Sequence, residues 1–271
     1  MAGIGAKKWT NIYGSMLQVD NSNTGVDSTV RTIKDGAGNS SAVGVSQNKA
    51  LIKPSATDST TAFQVKNSSN NALLTVDTTN DKVLAGISQV PIATQYAYFG
   101  VIYIHSANLS ANAHQALPFM NNGFTGALFD NVSFLTGTEP TLAYINSNAD
   151  GFRSAELMPY LWYVMDDIVI EDVKHIQGGT AGAGSNDATR MHLMKYNYTT
   201  NNANVLTSGA VVANTSSDTS ATDAVTSHLV GWDVVSAQKT VSAGQVIACT
   251  FRSDSINNDY SIQVVVKYRA A

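Results

Sequence analysis

Residues 58–87 read DSTTAFQVKNSSNNALLTVDTTNDKVLAGI. Within them, the runs 62–66, 73–77 and 83–87 are short and rich in apolar residues, and the first two break into Asn, Ser, Thr or Asp. That pattern predicts three strands joined by polar turns. Strands this short bury little within one chain, because an isolated ribbon is marginally stable in water. They become stable when several copies wind together and cover one another's apolar faces. Residues 54–91 are therefore predicted to form a multimeric β shaft.

Two regions of different texture flank the shaft. In residues 1–53, the β-type runs 12–19 and 29–33 are joined by DNSNTG and followed by KDGAGNSS. Asp35-Gly36 and Gly38-Asn39 tolerate positive φ and predict a tight reversal, with small strands at 42–45 and 50–52 beyond it. Pro54 marks the boundary. Residues 92–271 are the only part long enough for a sizeable core. They open on YAYFGVIYI at 96–104, and further strands are predicted at 128–135, 156–164, 168–175, 191–198, 229–235, 245–252 and 260–268. AELMPYL fits one helical turn before Pro159. In the last run, Ile262, Val264 and Val266 are predicted to face one side, and Gln263, Val265 and Lys267 the other. The reading is all-β: N-terminal strands (1–53), a short multimeric β shaft (54–91) and a C-terminal antiparallel, jelly-roll-like β-sandwich (92–271); the resemblance described below makes the first region an attachment segment, the shaft trimeric and the sandwich a knob.

Composition excludes several functions. Charged residues make up 13% of the 271, with a net charge of −4 and no basic cluster, which argues against nucleic-acid binding. No apolar run is long enough to insert into a membrane. The N-terminus MAGIGAKKWTNIYG lacks the apolar centre of a secretory signal. The lone Cys249, in VIACTF, reads as a small buried hydrophobe rather than a reactive thiol.

Few residues point to chemistry. His105, His114, His175, His192 and His228 have no metal-ligand spacing and predict surface or hydrogen-bonded core positions. Asp166, Asp167, Glu171 and Asp172 are dense enough to suggest calcium binding or an acid pair, but strand neighbours point to opposite faces, so a solvated turn is expected. The glycine-rich residues 178–185 lack the ending of a phosphate loop and read as a hairpin loop. The Asn-x-Ser triplets at Asn108 and Asn131 read as chance in an Asn-rich chain. Trp162 and Trp232 are expected core anchors. Tyr96, Tyr98 and Tyr163 are the candidate ligand contacts, because sugar rings stack on exposed aromatic faces; core or subunit-interface packing is the commoner fate of such aromatics and the alternative here. Trp9, Ile12 and Tyr13 lie in a segment with little core of its own and are expected to insert into a partner protein.

IYGSMLQVDNS with KDGAGNSSAVGVS is similar to the virion-attachment ends of bacteriophage fibre proteins. STTAFQVKNSSNNALLTVDTTNDKV resembles the shaft units of phage tail and head fibres, and VSAGQVIACTFRSD with NNDYSIQVVVKYR resembles the closing strands of their jelly-roll tips. The resemblance implies a homotrimer on the virion surface, its N-terminus fixed to a phage tail or capsid protein and its knob outward. It carries no catalytic residue, cofactor or metal. The expected function is non-enzymatic: host-surface adhesion to a glycan or protein as a tail fibre, or capsid decoration as a head fibre. The alternatives are a glycan-depolymerising tailspike using the acidic group, and a bacterial lectin, against which the attachment-like N-terminus and missing export signal count.

Overall fold

The computed structural model describes residues 16–22, 24–54, 56–119, 132–145, 154–180, 187–220 and 227–271. The chain divides into two compact units, residues 1–93 and 94–271, and both are built from antiparallel strands.

The first unit holds two four-stranded sheets. One joins β1 (Leu17–Val19), β2 (Arg31–Asp35), β3 (Ser40–Val45) and β4 (Ala50–Ile52) in chain order. Its β2–β3 reversal is closed by Asp35, whose carboxylate accepts the Asn39 backbone N–H (2.8 Å) and side-chain amide (2.9 Å). The other joins β5 (Phe63–Lys66), β6 (Ala72–Asp77), β7 (Lys82–Ala85) and β8 (Val90–Pro91), again in chain order. Its turns explain the repeated Asn and Asp. Asn67 Oδ1 accepts from the N–H groups of Ser69 (3.0 Å) and Asn71 (2.9 Å), and Asp77 Oδ1 accepts from that of Asn80 (3.0 Å). Such side chains close a reversal without help from a core.

Residues paired directly across strands share a face, so register assigns the faces of this second sheet. One face carries Phe63, Val76 and Val83 in one row and Val65, Leu74, Ala85 and Val90 in the next. The other carries Gln64, Thr75, Asp77 and Lys82, with Leu84 and Pro91. Burial runs opposite to polarity: Phe63, Val65, Val83 and Val90 are 36–45% exposed, whereas Thr75 and Asp77 are 2% and 7% exposed. Segment 56–62 is tied to the end of β6, where Ser59 and Thr78 exchange backbone and hydroxyl hydrogen bonds. Among its described residues, the first unit buries no hydrophobic side chain.

The second unit is a sandwich-like pair of sheets. Its strands are β9 (Gln95–Ile104), β10 (Ala113–Leu117), β11 (Ser133–Thr136), β12 (Leu161–Tyr163), β13 (Ile168–Gly179), β14 (Ala188–Tyr198), β15 (Leu206–Asn214), β16 (Thr219–Ser220), β17 (Ser227–Gly231), β18 (Asp233–Val234), β19 (Thr240–Val241), β20 (Gln245–Ser253) and β21 (Tyr260–Ala270). The larger sheet runs β11-β10-β20-β14-β15-β18, with β12 beside β20 and β16 beside β14; the smaller runs β17-β13-β21-β9, with β19 beside β13. Their inner faces form the main core: Phe99, Ile170, Val173, Val264 and Val266 from the smaller sheet meet Leu117, Met191, Leu193, Ile247 and Phe251 from the larger. Ile262, Val264 and Val266 are buried, and Gln263 is exposed. A second core lies on the outer face of the larger sheet, where Phe134, Tyr144, Leu157 and Tyr160 cover Met194, Tyr196, Val246 and Ala248.

Three parts of this unit depart from the expectation. Residues 156–164 are not one strand: a helical turn at Ser154–Leu157 and a 3₁₀ turn at Met158–Tyr160 precede β12. Pro159 sits at the start of that 3₁₀ turn, where its fixed φ suits the turn and its missing donor costs nothing. The glycine-rich segment closes no hairpin, because β13 and β14 lie in different sheets; residues 181–186 are outside the described set. Two strands had no clear signal. β10 (AHQAL) is buried at every position and so shows no alternation. β15 (LTSGAVVAN) is interrupted by Ser208 at φ +54° and by Gly209, where a Cβ would lie 2.8 Å from Leu142 Cα.

Gly100 gives a direct test of this packing. It lies on β9 opposite Gln263, and a Cβ there would fall 2.4 Å from the Ile262 carbonyl oxygen. Backbone cannot swing aside as a side chain does. Gly100→Ala is expected to destabilise the second unit by about 1–3 kcal/mol, read as a lower midpoint in urea unfolding.

Candidate functional site

The turn after β12 lines a depression of about 250 Å³ in the second unit, together with Gln95, Trp162, Tyr163 and Tyr268 among others. Its position is fixed locally. Val164 and Gln245 share a backbone hydrogen bond (3.0 Å), Gly244 N–H reaches the Val164 carbonyl (2.8 Å), and Asp167 Oδ1 accepts the Ala243 N–H (2.8 Å). Trp162 stacks on Phe119 with ring centroids 5.6 Å apart, and Tyr268 leans on it at 4.8 Å. The Tyr268 hydroxyl donates to Gln95 Oε1 (2.6 Å). Trp162 is thus a packed support, while Tyr163 beside it is 55% exposed. An open aromatic ring with a carboxylate and an amide nearby suits a polar ring ligand such as a sugar, whose apolar face stacks while its hydroxyls pair.

The three expected ligand tyrosines are all exposed but sit in two places. Tyr163 lines the depression; Tyr96 and Tyr98 stand on the outer face of the smaller sheet, opposite Lys267 and Val265. Beside them on that face lie Ile176 and Leu229, paired with each other and also exposed. The expected attachment residues Trp9, Ile12 and Tyr13 lie outside the described residues. Gln95 and Tyr268 were not foreseen as lining residues; the only signal was an aromatic on the last strand just past its clean alternation.

The acidic group is divided among separate partners. Asp166 faces the depression and Asp167 caps the Ala243 backbone. Glu171, at a register irregularity between β13 and β21, contacts Lys267 (3.3 Å) and Arg269 (3.2 Å), and Asp172 lies 3.4 Å from Lys174. Among the described residues no group of His, Cys, Asp or Glu is arranged to hold a metal ion.

Three histidines are buried: His114, His175 and His192. His175 Nδ1 accepts the indole N–H of Trp232 (2.7 Å), so that nitrogen carries no proton. Trp232 is itself buried in the main core. Burial lowers the His175 pKa to about 4, with the charge of His228 adding to the effect. His192 departs from the expected hydrogen-bonded core: neither ring nitrogen has a partner among the described residues. Cys249 is fully buried in the main core, and desolvation raises its thiol pKa well above the ordinary value. It is expected to resist an aromatic disulfide reagent in the folded protein and to react fully once denaturant is added.

No model of a known protein family matches the chain, and no curated protein matches its sequence.

Proposed function

We propose that the chain is a non-enzymatic structural protein of a bacteriophage particle: a homotrimeric short fibre, fixed to the virion by its N-terminal region through Trp9, Ile12 and Tyr13, with its C-terminal β-sandwich turned outward. One observation carries the trimer. The β5–β8 sheet leaves Phe63, Val65, Leu74, Val76, Val83, Ala85 and Val90 on one uncovered or half-covered face while its polar face is the more buried. Full burial of a Val, Leu or Phe side chain is worth roughly 1.5–3 kcal/mol, so leaving this face in water forgoes most of the sheet's stabilisation. Three copies around one axis cover all three faces with no open edge contact. The fibre reading adds to this the likeness of the attachment and shaft residues to phage fibres.

The sandwich then serves as the exposed knob. Tyr163 with its depression, and Tyr96 and Tyr98 on the outer sheet face, are its surfaces for a host glycan or protein; on a capsid-mounted fibre the same knob decorates the shell. Electron microscopy of intact particles with an antibody against the second unit tests the placement. Label at the tail tip assigns adhesion and label over the shell assigns decoration. Label on neither sinks the virion reading.

A further inference from the structure

The outer face of the larger sheet changes character along its strands. Tyr196 lies opposite Val246 and Met194 opposite Ala248 in the second core; the next rows place His192 opposite Thr250 and Arg190 opposite Arg252. His114 of β10 meets His192 edge to face, with ring centroids 5.0 Å apart. His114, His192 and Thr250 have no exposed surface. Both ring nitrogens of His192, Nδ1 of His114, Oγ of Thr250 and the Nε atoms of Arg190 and Arg252 are buried without a hydrogen-bond partner among the described residues. Among the described residues, His114 Nε2 lies 3.1 Å from the Gly137 carbonyl, Arg252 donates to Asn112 Oδ1 (3.0 Å), and Arg190 stands 3.9 Å from Asp218.

So many buried polar atoms left unpaired by protein groups in one patch mark a ligand site, because each is destabilising when left alone. Two guanidinium groups opposed on one face add repulsion. Charge selects the occupant. The imidazole pair alone would suit a metal ion, but two cationic side chains repel one. Of the carboxylates near this row, Asp218 is at the edge of ion-pair range, and Asp254 is taken by the Ala188 N–H (2.7 Å). Water supplies hydrogen bonds but no charge. A small oxyanion supplies both, taking Nε–H groups from both arginines, the one ring N–H of neutral His192 and the Thr250 hydroxyl, while His114, whose Nε2–H is donated to the Gly137 carbonyl, serves as a wall. We propose that Arg190, Arg252, His192 and Thr250 form a binding site for a free phosphate or sulphate ion, which ties β14 and β20 together, with His114 of β10 as its wall. The complete burial of the histidines and threonine favours a compact ion over a charged group on a polymer.

Thermal unfolding of the wild-type chain in chloride buffer, with sodium sulphate or phosphate raised through the low millimolar range at constant ionic strength, tests the site. A saturable rise of about 5 °C is expected, well below the concentrations at which sulphate acts by general exclusion. Arg252→Gln is expected to abolish it. Crystals of the wild-type chain grown with selenate give the same decision without a variant: an anomalous peak between the two guanidinium groups supports the site. A rise that persists in Arg252→Gln overturns the proposal. So does the absence of any rise in a protein that also releases no oxyanion on denaturation and shows no selenate peak.

Discussion

A chain carrying Val76→Asp is expected to run as a monomer while its second unit keeps its own unfolding transition. Val76 sits between Phe63 and Val83 in the middle of the apolar face of the β5–β8 sheet. If that face meets its copies around a threefold axis, each aspartate is placed without a counter-ion beside two others. Burying one unpaired carboxylate costs several kcal/mol in practice, and the threefold repeat multiplies the cost, so association is lost altogether. Gln64→Glu, on the opposite face of the same sheet, is the control and is expected to leave the trimer intact. Sedimentation velocity on the three proteins reads the result. A V76D chain that remains trimeric means that this face is not the contact.

The second large effect is expected in acid. His114 and His175 hold their pKa near 4 and His192 near 3, in each case chiefly because burial disfavours the charged ring. His114 and His192 also face each other and the charges of Arg190 and Arg252, which push in the same direction. Unfolded histidines titrate near 6.5, so between that value and about pH 4 the unfolded chain binds protons that the folded chain refuses. Stability from these groups is therefore complete above pH 6.5 and is lost as pH falls toward 4 and then 3. Each histidine contributes about 3 kcal/mol to that loss. Urea unfolding of the second unit in oxyanion-free buffer, at steps from pH 8 to pH 4, measures it. His175→Asn keeps an acceptor for the Trp232 indole and removes one titrating ring, and is expected to reduce the acid loss by roughly a third. A stability flat from pH 8 to pH 4 would contradict the buried, neutral histidines.

The sequence was most legible where local chemistry decides structure. The three runs of the shaft stretch became β5, β6 and β7 with ends shifted by at most two residues, because their turns are closed by Asn67 and Asp77 themselves. The last strand was equally plain, since one buried face imposes a period of two. Legibility failed where burial is two-sided or long-range. β10 has a covered residue at every position, and β15 carries a glycine at 209 because Tyr196 and Leu142 crowd that position, a contact that no local window contains. The candidate site was half visible: Tyr163 stood out as an aromatic, but Gln95 and Tyr268 join it only through pairing between distant strands. The His114–His192–Arg190–Arg252 row was invisible for the same reason, as three strands far apart in sequence assemble it.

The mass of the purified chain in solution, by light scattering coupled to size exclusion, tests the central claim most directly. The account requires a stable species of three times the 28.7 kDa chain mass, unchanged on dilution into the nanomolar range. A well-folded monomer, with the apolar face of Phe63, Val76 and Val83 left in water, would contradict it.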